Sequence, residues 1–460
     1  MEIADRYAMT RAVIVGAGPA GISAAAVLVA YGIRPILLDE GRLPGGQAYR
    51  RPSDPPRLSI EALLGTESAK YRRIHRTFEE VRPHLDYQSE SLVWSVFDRE
   101  VHALRGGRSQ MLRFDALILA TGAIDRVFPI EGWTLPGVVT LGAAQILLKD
   151  QGCLIGRRVV FCGSSPLLYL AALQYRRMGA EVMAVLDTTS FASKFRASPR
   201  LLASPATLGR GLGYLAALRR LGVPVRHGVR LRRFEGAMDV EAVLYRDGAG
   251  DRRIGCDTVA MGFGLRPETQ LAELAGCRLD YDPHFRQWLP VCDADGRSVK
   301  GVYLAGDGSA VGGADAAEIS GRLAAYAVLE DVGISTPLAL RRRLRCRLAR
   351  LRRFQRGLAT AFAWPHEWIR DMADDSLVCR CEEISAGALR QALRAPFGPT
   401  EVNRLKAFTR CGMGRCQGRF CGHAAGELAA AVLGRPHREM GWMRAQGPVK
   451  PLPVSTLFGG

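Results

Sequence analysis

The chain has 460 residues, 48% of them apolar, and a formal net charge of +18. At about 100–200 residues per domain there is room for roughly three domains, and no apolar run reaches the ~18 residues that a membrane-crossing helix needs. The positive charge is nearly all arginine, dispersed and without interleaved aromatics; it reads first as a compositional preference and second as a face for an acidic partner, and no specific nucleic acid is expected. Residues Met1 to Arg11 are polar and lack a signal-peptide pattern. The expectation is a cytoplasmic protein, peripheral attachment at the inner membrane face remaining open. There, eleven cysteines serve a metal or cluster, not disulfides.

The first element is Ala12–Val15, a short apolar strand, followed by Gly16, Gly18, Pro19, Ala20 and Gly21 in G-x-G-x-x-G spacing, then an apolar helix from Ile22 to Ala30. The glycines allow a tight turn, close approach of a pyrophosphate and close helix–strand packing, and the helix N-terminus attracts phosphate. A second strand, Pro35 to Leu38, ends in Asp39 and Glu40. Asp39 stands where an acid reaches a ribose hydroxyl. Pro44-Gly45-Gly46-Gln47 can approach a flat ring and meet its edge. Ile60 to Leu85 reads as helical, with Arg72, Arg73 and Arg76 in solvent. Phe114 to Gly122 is a buried strand ending in Ala120-Thr121-Gly122.

At this point the chain resembles the flavoprotein oxidoreductases with two dinucleotide-binding domains, the group that includes thioredoxin reductase. The fold expected is α/β, Rossmann-like, of the glutathione/thioredoxin reductase type. The second domain opens at Arg157 with a strand and turn, but Gly163, Ser165 and Leu168 stand where three glycines would be. Ser165 would crowd a pyrophosphate and Leu168 would push helix from strand, so NAD(P)H binding is not expected although Asp187 ends the next strand; an adenine nucleotide held differently stays open. Arg252 to Met261 reads as one further strand. Val302 to Leu304, followed by Ala305, Gly306 and Asp307, announces the return to the first domain, and Gly312 to Gly321 opens a helix. The resemblance implies that Asp307 binds the ribityl chain of FAD. Thr336 to Trp368 is an amphipathic helix with nine arginines between Arg341 and Arg356.

Cys379 and Cys381 form a C-x-C pair, and Cys416 follows Cys381 after 34 intervening residues, with Cys421 beyond it. Four such thiolates suit a [2Fe–2S] cluster. Cys411 is a fifth cysteine that could replace one of them. Zinc would favour C-x-x-C pairs, which are absent. The spacing resembles bacterioferritin-associated ferredoxin. The stretches Cys379–Glu383, Thr409–Cys421, Asp39–Arg50 and Gly132–Gly137 resemble the large FAD/[2Fe–2S] subunits of heteromeric amino-acid dehydrogenases. That group includes the opine oxidase A subunit, the hydrogen cyanide synthase B subunit and D-hydroxyproline dehydrogenase α subunits.

The resemblance implies a division into 1–125 and 266–335 (FAD), 126–265 (second nucleotide-binding-like domain), 336–372 (linker helix), 373–432 (cluster) and 433–460 (tail). It also implies a partner β subunit with its own FAD that oxidises a secondary amine or amino acid, a small third subunit, FMN where subunits meet, and a quinone or dye acceptor. No catalytic acid–base pair can be named, and the eight scattered histidines read as structural. The alternatives are a stand-alone NAD(P)H-dependent ferredoxin-type reductase and a non-catalytic iron–sulfur sensor on nucleic acid.

Overall fold

The structure, a computed structural model, describes residues 10–52 and 59–457. The polar lead-in therefore lies largely outside the described residues, as do residues 458–460 of the tail. The chain opens with β1 (Ala12–Val15), α1 (Pro19–Ala30) and β2 (Ile36–Leu38). The helical stretch that follows is dominated by α2 (Ser68–Val81), whose buried side chains Tyr71, Ile74, Phe78 and Val81 recur at helical spacing. Arg72, Arg73 and Arg76 are exposed, as expected. Then come β3 (Asp86–Gln88) and β4 (Ala116–Leu119). Between them lies a three-stranded antiparallel sheet over 91–113 that the sequence did not announce.

The chain crosses to a second unit through β5 (Ala123–Asp125). That unit contains β6 (Val138–Thr140), α3 (Leu141–Gln151), β7 (Arg158–Gly163), α4 (Leu167–Arg177), β8 (Glu181–Asp187), α5 (Phe191–Leu201), α6 (Pro205–Arg220), β9 (Val225–His227) and β10 (Thr258–Gly262). It returns through β11 (Leu265–Pro267), antiparallel to β5. The strand expected over 252–261 is two elements. One ends an antiparallel sheet at Gly255, and β10 begins at Thr258. The break falls at Asp257, whose carboxylate accepts the amides of Arg157 and Arg158.

β12 (Val302–Leu304) then inserts beside β4, giving a parallel sheet in the order β12–β4–β1–β2–β3. The second sheet is also parallel, in the order β9–β8–β7–β10–β6. Their central strands are apolar and buried, as sheets covered by helices on both faces require. α7 (Ala314–Asp331) lies directly on α1: a Cβ at Gly321 would fall 2.0 Å from the Ala20 carbonyl oxygen. α8 (Leu338–Ala361) is the basic helix. Arg341 and Arg345 both bind Asp295 of its own domain. Arg342, Arg343, Arg347, Arg350 and Arg353 are exposed. The last unit carries α9 (Ala386–Arg394), α10 (Val402–Thr409) and α11 (Gly422–Leu433). Its core is continuous with that of the second sheet. No helix among the described residues is long and apolar enough to cross a membrane.

Candidate functional site

The first cleft opens where β1, β4 and β12 end side by side. Gly16 has φ +106°, and a Cβ there would lie 2.4 Å from the Ala120 oxygen. A Cβ at Gly21 would lie 1.8 Å from the Gly16 oxygen. Both glycines are demanded by packing. Gly18 differs, because a Cβ there would meet only Gly46 Cα, at 3.8 Å. At Gly122 and Gly313 a Cβ would meet nothing within 4 Å. Gly18 and Gly313 also begin α1 and α7 without a side-chain cap. The result is a rim of bare backbone with two helix N-termini, which fits a dinucleotide pyrophosphate.

The other predicted cleft residues lie around this rim. Asp39 turns to the loop, accepting the amides of Ala17 at 2.5 Å and Gly41 at 2.7 Å. Burial raises its pKa, and those two bonds only partly oppose the rise. In this geometry Asp39 braces the glycine loop. Glu40 pairs with Lys450 of the tail. Gln47 is exposed. Asp307 accepts the amides of Gly312 and Gly313 through Oδ1, at 2.8 and 3.0 Å, so it steadies the start of α7. Burial raises its pKa as well. Its other oxygen makes no hydrogen bond among the described residues.

In the second unit, the acid that ends β8 is engaged by neighbouring side chains. Asp187 accepts hydrogen bonds from Tyr169, Lys194, Thr189 (2.6 Å) and His227 (3.1 Å). Burial alone would raise its pKa, but the His227 and Lys194 contacts outweigh that and lower it. Leu168 is fully buried, and Ser165 Oγ accepts the Leu167 amide at 3.3 Å. No acid is left over there for a ribose.

All five C-terminal cysteines converge. The sulfurs of Cys379, Cys411 and Cys421 lie within 4.8 Å of one another, and all three residues are buried. Cys416 is near enough to Cys421 and Cys381 for their thiols to act on one another, which places the two half-buried thiols beside the group. Contacts from Cys411 and Cys421 pull the Cys379 thiol far down, and the same contact with Cys379 pushes Cys411 up. Five thiols sharing protons in one pocket suit ligation that removes protons. Proximity places Cys411, expected only as a substitute, in the tight group with Cys379 and Cys421, and leaves Cys381 and Cys416 outside it.

Residues that the sequence did not single out join the two sites. Thr121 Oγ1 donates to the Glu268 carbonyl at 2.8 Å, and the Glu268 amide donates to Gly122 at 3.0 Å. The Glu268 carboxylate binds Arg419 Nε at 2.5 Å, and Arg419 also donates to the carbonyls of Val449 (2.6 Å) and Cys416 (3.4 Å). Gln270 donates to the Gln417 carbonyl at 2.8 Å. The cleft loop and the thiol loop are thus one bonded assembly. Three-dimensional structure also corrects the view of the histidines as scattered: His423 and His437 gather around Glu427. Arg286 takes both Glu427 oxygens, at 2.8 and 2.5 Å, so the group is an ion-pair hub, with its carboxylate already occupied by a cation.

Residues 10–326 match the family described as pyridine nucleotide-disulphide oxidoreductase, and residues 377–431 match the BFD-like [2Fe-2S] binding domain. The chain is 39% identical to the opine oxidase A subunit of Agrobacterium tumefaciens (strain Ach5), over 99% of this chain and 92% of that protein. It is 32% identical to hydrogen cyanide synthase subunit HcnB of Pseudomonas aeruginosa, over 97% and 98% respectively. L-proline dehydrogenase from P. horikoshii superposes with a TM-score of 0.72 at 20% identity, over 97% of this chain and 79% of that one. Thioredoxin reductase of T. acidophilum gives 0.50 at 22% identity, over 70% and 97%. The two solved structures speak for the fold alone.

Proposed function

Because the chain belongs to the pyridine nucleotide-disulphide oxidoreductase family and carries a BFD-like [2Fe-2S] binding domain behind that fold, we propose that it is the electron-transfer subunit of a heteromeric amino-acid or opine dehydrogenase. The observation that carries this reading is the close grouping of the Cys379, Cys411 and Cys421 sulfurs, beside a loop bonded through Arg419 and Glu268 to the rim of the nucleotide cleft.

The residues fit FAD in the first cleft. Gly16, Gly18, Pro19, Ala20 and Gly21 would take the pyrophosphate, and Asp39 and Glu40 stand at the ribose end. Gly46, Gln47, Ala120, Thr121 and Gly122 would border the ring, and Gly306 and Asp307 the ribityl chain. Cys379, Cys381, Cys416 and Cys421 would hold the cluster, with Cys411 as the substitute. A flavin exchanges electrons in pairs or singly and a [2Fe–2S] cluster exchanges one, so the two together would convert hydride chemistry to single-electron transport. This chain's own part is to present bare backbone and helix N-termini to the nucleotide, to keep three of the thiols out of water, and to hold the two loops in register.

Amine oxidation itself belongs, in this reading, to a partner β subunit with its own FAD. FMN would lie where the subunits meet, and a quinone would accept the electrons. The name of the opine oxidase relative, which is one subunit among others, supports a heteromeric assembly. The occupied Asp187 argues against the alternative of an NAD(P)H-dependent reductase. The test is anaerobic addition of amine substrates to the complex co-purified with its partner. Bleaching of the cluster's visible absorbance is expected. An unbleached cluster beside a reduced partner flavin would refute the relay, and bleaching by NADPH alone would restore the reductase.

A further inference from the structure

Arg266 lies on β11, the strand that returns the chain from the second unit and pairs Arg266 with Ile124 just beyond the cleft. It is half-buried in the seam between the nucleotide-binding body and the cluster unit. Every neighbouring arginine of that seam has acceptors. Arg126 donates to the carbonyls of Phe263 and Phe285, both at 3.1 Å. Arg286 is held by Glu427 and Arg419 by Glu268. The Arg266 guanidinium has neither a hydrogen bond nor an ion pair among the described residues. A half-buried cation without a partner is costly, and burial already pulls its pKa down.

What faces that charge is the thiol loop. Arg266 Nη1 lies in van der Waals reach of Gly422, the residue after Cys421: a Cβ placed there would be 3.9 Å away. Of the charges acting on it, Glu268 comes first and Arg419 opposes it, with Cys421 and Cys416 following. Glu268, the carboxylate nearby, is engaged by Arg419. Arg266 also lines a cavity of about 70 Å³ with Gln270, Trp288, Gln417, Gly418 and His423. Gln270 Oε1, Trp288 Nε1 and His423 Nε2 in that cavity are buried without hydrogen-bond partners.

Given the cluster reading above, we propose that Arg266 is a positioning residue that supplies the fixed counter-charge of the cluster and sets its reduction potential from the flavoprotein side of the seam. Four thiolates around two irons and two sulfides carry net negative charge, and reduction adds one more. A nearby fixed cation favours the reduced form and raises the potential. Cluster and guanidinium thus solve one another's burial problem.

The test uses the full chain, loaded anaerobically with iron and sulfide, in a dye-mediated redox titration followed by EPR and visible absorbance. Arg266→Met should move the oxidised/reduced equilibrium at least tenfold toward oxidised, a fall of about 59 mV for a one-electron couple. Arg266→Lys should restore part of the shift, and Arg347→Met on the exposed face of α8 should cause none. Equal potentials in the parent and Arg266→Met, with iron content unchanged, overturn the proposal. Loss of iron in the methionine variant with retention in the lysine variant supports it, and loss in both assigns a packing role and overturns it. A parent chain that forms no cluster defeats the underlying reading instead.

Discussion

Replacing Arg419 by methionine tests the bond between cleft and cluster loop. Both side chains of the Glu268–Arg419 pair are 11% exposed, and Nε lies 2.5 Å from Oε2. At an effective dielectric of ~20 such a pair is worth about 4 kcal/mol, and removing one partner of a buried pair typically costs ~3–5 kcal/mol because the other is stranded. The Arg419 bonds to the Val449 and Cys416 carbonyls are lost as well. We expect Arg419→Met to weaken docking of the cluster unit by about 3–5 kcal/mol, read as earlier loss of visible absorbance in urea and faster trypsin cleavage between residues 362 and 376. The Glu268→Met/Arg419→Met double variant should recover most of that, because neither charge is then left alone. A cost below about 1 kcal/mol would place the pair with ordinary surface bridges and would refute the idea that it ties the two sites together.

Gly21→Ala puts a Cβ 1.8 Å from the Gly16 oxygen; we expect a cost of about 1–3 kcal/mol or more and loss of bound flavin, and flavin retained at the parent's stoichiometry would contradict the tight contact. Cys411→Ser should keep the cluster's iron while Cys416→Ser should lose it; the reverse pattern would move ligation to Cys411. Asp187 has a depressed folded pKa, so its contribution to stability is present above the unfolded value of about 3.9 and is lost as pH falls through the folded one. The Tm gap between the parent and Asp187→Asn should therefore hold steady from neutral pH to about pH 5 and narrow below about pH 3.9; a gap that already narrows above about pH 5 would refute the assignment to Asp187.

What the sequence made legible was local. The glycine loop after β1, the Ala120-Thr121-Gly122 end of β4 and the acid after β12 each combine a short apolar run with small residues at fixed offsets, and those offsets survive folding. The strand and turn at Gly163 were legible too, and Ser165 and Leu168 were visible as side chains at glycine positions. The break before β10 was passed over although Gly255 stands at it, and the Asp257 side chain capping distant amides fixes it. Glu268 and Arg419 stand 151 positions apart, and nothing in either neighbourhood selects the other. Arg266 reads as one more arginine in an arginine-rich chain until the absence of an acceptor can be seen. His423 and Glu427 stand at i,i+4 on α11, a spacing the sequence offered, but Arg286, 141 positions away, completes the hub and no spacing announces it.

The shared core beneath the thiols bears on how the molecule can move. Phe128, just past β5, stacks within 5.0 Å of Trp364 and 5.7 Å of Phe263, and the Trp133 indole donates to the Leu377 carbonyl at 2.6 Å. The second sheet has therefore become the seat on which the iron-binding unit rests. That sheet is tied to the first one as well, through a continuous apolar core and the hydrogen bonds from Gln174 to the Leu63 carbonyl and from Lys149 to the Ala48 carbonyl. The C-terminal unit, held to the first by Arg419 and Glu268, is thereby braced from both sides, and the second domain serves it as a buttress.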